Sequence, residues 1–142
     1  MTQEDKELLL TNLCARLPYG VICQFIWTYS NETTDGESVI AKEDDDIRSI
    51  DIHTKEIQAN YYGEWVDLEH CKPYLRPLSS MTEEEYDQLY IDSRVKEDSI
   101  DILDALANDM DAIDWLNAHH FDYRGLIEKG LALKAPEDMY KL

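Results

Sequence analysis

His119, His120 and Asp122 form the densest cluster of titratable side chains in this sequence, two imidazoles and a carboxylate of the kind that hold a metal ion or move a proton. Adjacent histidines on a helix diverge by about a hundred degrees, and the i, i+4 spacing of a zincin helix is missing. The expectation is a polar site with no metal, in which one imidazole is buried and the other faces water. Cys71 offers a thiol with His70 beside it. Neighbours on a strand point to opposite faces, so His70 is badly placed to act as its base. Glu43-Asp44-Asp45-Asp46 is an acidic run that lacks the glycine and the distal glutamate of a calcium loop, so it reads as a solvated hairpin turn. No GxSxG, P-loop or GxGxxG occurs, and five glycines leave little material for a phosphate cradle. Enzymatic activity and a cofactor are therefore not expected.

Recognition is the better supported class of chemistry. Trp27, Tyr29, Tyr61, Tyr62 and Trp65 fall in strand-like sequence, where aromatics either cover a core or surround a cation. Formal charge is -18, and from Glu83 to Asp114 twelve acids face only Arg94 and Lys96, a local net of -10. Asp98, Asp101, Asp104 and Asp111 are the candidate interaction residues of that acidic segment, against the plainer reading of a solvated face. Direct binding to nucleic acid is disfavoured, because affinity for phosphates comes from Lys and Arg releasing counterions. Two function classes follow. The first is a non-enzymatic module for a protein partner, with a basic or nucleic-acid-binding host protein as candidate; the second is an acidic nucleic-acid mimic or an inhibitor of a host defence protein.

These residues need a scaffold, and the chain changes character at Lys72-Pro73-Tyr74-Leu75-Arg76-Pro77-Leu78. Before that joint the periodicity is two and the sequence is aromatic-rich; after it the period is 3.6 and acids dominate. Pro73 and Pro77 favour extended or turning backbone, which makes Tyr74 and Leu75 the expected plugs into a core. Thr82 with Glu85 matches a capping box, so a helix is predicted from Glu83. A helix over 3–16 precedes a long strand from Val21 to Tyr29 and shorter ones at Ser38–Lys42, Ile47–Ile52, Ile57–Tyr61 and Trp65–Leu68. The later apolar spacings from Ile100 to Ile113 continue a helical pattern, Asp122 suits a cap, and Leu126, Ile127, Leu131 and Leu133 should return to the core. The predicted fold is α+β: a small bent antiparallel β-meander, preferably an SH3-like barrel, with an N-terminal helix and a helical C-terminal half. Residues 1–78 and 79–142 are its two parts within one domain. Cys14, Cys23 and Cys71 are odd in number and scattered, which argues for reduced thiols. Met1 to Glu7 is polar and Leu8-Leu9-Leu10 is too short for a signal core or a span, so a cytoplasmic protein without membrane contact is expected.

Two stretches carry a resemblance. Lys72-Pro-Tyr-Leu-Arg-Pro-Leu-Ser-Ser-Met-Thr-Glu-Glu-Glu85 and Asp114-Trp-Leu-Asn-Ala-His-His-Phe-Asp-Tyr-Arg-Gly-Leu-Ile-Glu-Lys-Gly-Leu-Ala-Leu133 resemble an abundant family of small phage and mobile-element proteins of gut bacteria. The match covers about a quarter of the chain. It implies an accessory role inside a bacterial host cell, and it brings no catalytic residues to carry over.

Overall fold

Thr2 opens the first helix, α1 (Gln3–Arg16), by a reciprocal capping box with Asp5, at 3.1 and 3.2 Å. The structure is a computed structural model in which residues 1–30, 35–93 and 110–140 are described. Leu9 and Leu13 lie one turn apart on α1 and are fully buried against the sheet that follows. That sheet starts with β1 (Ile22–Tyr29), whose odd-numbered Cys23 and Phe25 face the core. Next to it runs β2 (Val39–Asp51), antiparallel, with Ile22 opposite Asp46 and Tyr29 opposite Val39. The register shifts between Ile47 and Ser49, and beyond this irregularity β2 pairs with β3 (Glu56–Ala59). Then come β4 (Trp65–Asp67), a 3-10 turn at Leu68–His70, and β5 (Cys71–Pro77), which returns to pair with β1.

Past the joint the second capping box forms as expected, Thr82 with Glu85 at 3.1 Å each way, and opens α2 (Glu83–Ser93). Helix α3 (Met110–Ala118) packs with it around Leu89, Ala112, Trp115, Leu116 and Phe121. Two short strands, β6 (Phe121–Asp122) and β7 (Leu133–Lys134), then join β5 in parallel. The result is a mixed sheet of seven strands in the order β4-β3-β2-β1-β5-β6, with β7 also on β5.

The α+β class and the N-terminal helix therefore hold, and four expectations need correction. An SH3-like barrel is not confirmed: beyond its pairing with β1, β5 is extended by parallel pairing with β6 and β7, and the sheet stays open. The C-terminal half is not wholly helical. From His119 onward the chain supplies hydrogen bonds to β5, with Arg76 N donating to His120 O and Ala135 N to Leu75 O, both at 2.8 Å. Gly125 and Gly130, at φ 73 and 76, turn the chain between those two edge strands. Glu43 to Asp46 is no hairpin tip but lies within the 13 residues of β2, opposite Phe25 to Ile22. Of the joint's two expected plugs only Leu75 is in the core; strand alternation turns Tyr74 the other way, where its hydroxyl donates to Asp44 at 2.8 Å. Of the four residues expected to return to the core, Leu126 and Leu131 join it beside Leu9, Phe25 and Leu75, and Ile127 packs against it; Leu133 is only half-buried on β7, and its neighbour Ala132 is in the core instead.

Candidate functional site

The histidine pair comes apart in space. His119 stacks on Trp115 with centroids 4.0 Å apart and its Nδ1 lies 2.9 Å from Trp115 O, whereas His120 stacks on Tyr140 at 3.7 Å. The Asp122 carboxylate accepts from Leu126 N at 2.9 Å and Ile127 N at 3.0 Å, which makes it the cap of a turn. Among the described residues no three His, Cys, Asp or Glu side chains gather as metal ligands. Burial, followed by the influence of Arg16, His119 and Arg76, pulls His120 down to about 4, so near neutrality its imidazole is uncharged. Cys71 is buried while His70 is exposed. Burial, with Cys71 as its second cause, pushes the Cys23 thiol well up, the opposite of what a nucleophile needs.

The joint residues are structural as well. Arg76 grips Glu85 through two bonds of 2.6 and 2.7 Å while its guanidinium lies 4.2 Å over Phe121. Burial alone would raise the Glu85 carboxyl, but Arg76 and the Thr82 amide outweigh it and hold the group low. Pro73 and Pro77 sit within β5, and both lie at pairing positions, opposite Cys23 and Asp122. Of the four acids proposed as an interaction face, Asp98, Asp101 and Asp104 lie outside the described residues. Asp111 is exposed on α3.

What the fold does gather is the aromatic set, and the acids of β2 are the means. Asp45, buried although charged, accepts from Tyr61 N at 2.8 Å and Tyr62 N at 3.2 Å. Glu43 accepts from the Tyr62 hydroxyl at 3.1 Å, and Asp46 from the Asn60 amide at 3.2 and 3.3 Å. The run read as a solvated turn is therefore a rack of acceptors that fixes the loop between β3 and β4. Tyr62 is held 5.5 Å from Trp27 and Tyr61 5.1 Å from Tyr62, centroid to centroid. The three rings lean on one another instead of enclosing a cation. Tyr61 remains 83% exposed at the tip of that stack.

Beside the stack lies an open groove of about 450 Å³. One wall is the end of β1 and β2 with Trp27 and Ile40; the other is Glu56, Glu64, Trp65 and Asp67, and His70 closes one side. Ile40 and Trp65 are 66% and 46% exposed, a large share for such apolar side chains. Tyr29 is exposed too, but it does not line this groove. Comparison with protein families, characterised proteins and solved structures finds no match. The site is thus argued from its own chemistry. The groove offers apolar surface, carboxylates and no lysine or arginine among its lining residues.

Ile40, Glu56, Glu64 and Asp67 were not singled out from the sequence. The signal that could have found them is hairpin register: with Ile57 and Val66 paired inside, Glu56 must oppose Asp67 on the outer face.

The rack gives the first prediction. Asp45→Ala leaves the Tyr61 and Tyr62 amides without their acceptor and is expected to cost about 1–3 kcal/mol. Faster chymotryptic cleavage after Tyr61 or Tyr62, at temperatures where the rest of the chain resists, would report the released loop. An unchanged digestion pattern would show that the carboxylate does not order it.

Proposed function

We propose that this chain is a non-enzymatic interaction module that binds a basic protein partner through the aromatic, acid-walled end of its sheet. The observation that carries the reading is the concentration there of uncovered apolar side chains, Ile40, Tyr61 and Trp65, beside the carboxylates of Glu56, Glu64 and Asp67, which have no ion pair among the described residues. Apolar surface rimmed by charge is the usual make-up of a contact surface. A formal charge of -18 favours fast encounter with a positively charged protein and opposes approach to nucleic acid. The pairing of β5 with β1 after a 3-10 turn supports an SH3-like ancestry for strands β1 to β5, with β6 and β7 as edge additions. The resemblance of the joint and tail motifs to phage and mobile-element proteins suggests a bacterial cytoplasm as the setting.

A photo-cross-linking side chain placed at Tyr61 or Trp65, with a second placed at Glu128, an exposed turn residue that does not line the groove, as control, tests the reading in bacterial cells. One recurrent basic protein should be captured from the first two positions and not from the third. Capture that is equal from all three positions, or none from Tyr61 and Trp65, would overturn it.

A further inference from the structure

The inference deepens the interaction reading and rests on it. In the β3–β4 ladder Glu56 stands directly opposite Asp67, and Gln58 opposite Trp65. Ile57 and Val66, the pair between them, are buried, so Glu56, Asp67 and Trp65 share the outward face. Directly opposed side chains on a strand pair have Cβ atoms about 4.5–5.5 Å apart, and like charges there repel. Neither carboxylate has an ion pair or a hydrogen bond among the described residues; the ion pairs there are Lys6 with Glu69 and Arg76 with Glu85. Both residues line the groove, together with Glu64 and Trp65. A pair of opposed acids next to an exposed indole is the acceptor half of a cation site; Lys6 and Lys55 line a separate hollow beside Asp67 and do not line this groove.

We propose that this groove receives an arginine side chain from an extended segment of the partner protein, its guanidinium bridging Glu56 and Asp67 and lying on Trp65. The planar fork of arginine can meet two carboxylates at once and stack on an aromatic face, whereas a lysine ammonium is a compact, strongly hydrated point charge. The methylene stem then runs along Ile40, which explains an isoleucine left 66% exposed at the opposite lip. Binding removes the repulsion between the two acids, so part of the affinity is strain relieved.

The probes are N-acetylarginine methylamide and its lysine and citrulline counterparts, titrated into the full chain while the indole N–H resonances of Trp27, Trp65 and Trp115 are followed. The arginine probe should shift the Trp65 signal saturably, bind several-fold more tightly than the lysine probe, and leave Trp115 unmoved; the citrulline probe should do nothing. A Glu56→Gln, Asp67→Asn double variant should lose at least tenfold in affinity while melting at an equal or higher temperature, since it removes a like-charge pair. No saturable shift with arginine, equal binding of lysine and arginine, or full binding by the double variant would overturn the proposal. Partner capture from Tyr61 that persists undiminished in the double variant would sink the arginine site while leaving the interaction reading standing. Loss of capture from wild type would sink the reading itself.

Discussion

Asp122→Ala is expected to lose about 2–5 kcal/mol of stability, because it takes the acceptor from two amides and removes a carboxylate whose field favours a cation that the fold has sealed inside. Arg16 is fully buried at the end of α1, and its Nη2 donates to Phe121 O at 2.6 Å. Its Nε and Nη1 have no hydrogen-bond partner among the described residues. Burial pulls this guanidinium down, and the field of Tyr123 and then of Asp122 pulls it back. The Asp122 carboxylate is nearly as deep, and it also caps the Leu126 and Ile127 amides. Alanine there would leave two amides without an acceptor and take one of the supporting fields from a buried cation, two costs that fall on the same spot. A cycle separates them. Arg16→Met keeps volume and removes the charge, so in its background Asp122→Ala should cost about 1–3 kcal/mol less than in the wild type. Urea midpoints at neutral pH measure all four corners. Additivity within about 0.5 kcal/mol would mean that Asp122 acts as a cap alone.

This pair also marks where the sequence stops being readable. Both capping boxes, Thr2 with Asp5 and Thr82 with Glu85, are closed by residues three apart, so the starts of α1 and α2 follow from local chemistry. The alternation of Cys23 and Phe25 likewise gave the buried face of β1. Glu43 to Asp46 carries the opposite lesson. By composition these acids belong in a turn, yet their donors are Tyr62, Tyr61, Asn60 and Tyr74, between 14 and 30 residues away. A pattern of residue types cannot announce a hydrogen bond made across that distance. The tail was misjudged for the same reason. Phe121 and Leu133 pair with a strand about 45 and 59 residues earlier, and parallel edge pairing leaves no periodic signature in a two-residue strand. For the candidate site, the aromatic residues were legible as a set. Their arrangement as a stack beside a groove, with Trp65 apart from Tyr61 and Tyr62, depended on the β3–β4 register and on Asp45 holding the loop.

Acid should weaken the fold through His120 before it reaches the carboxylates. This imidazole is 8% exposed, pressed 3.7 Å from the Tyr140 ring, and its Nδ1 is buried without a hydrogen-bond partner among the described residues. Burial first, then Arg16, His119 and Arg76, lowers its pKa from 6.5 to about 4 in the folded chain. Between those values the unfolded chain binds the extra proton and the folded one does not, so stability rises with pH across the window. The contribution is fully present above about pH 6.5 and is lost as pH falls toward 4. The full difference would be about 3 kcal/mol, and with solvent screening taken off about 2 kcal/mol is expected between pH 7 and 4.5. Glu85, whose carboxyl is held low by Arg76 and Thr82 against its burial, enters only below its ordinary value near 4.5, so the upper part of the fall belongs to the histidine. His120→Asn is the control, since asparagine tolerates the left-handed backbone that His120 adopts at φ 65 and cannot titrate here. Urea unfolding of both chains at half-unit steps from pH 7 to 4.5 should give a sloping wild-type curve and a flatter variant. Parallel curves would place the acid sensitivity elsewhere and would mean that the imidazole sits in more water than its contacts with Tyr140 allow.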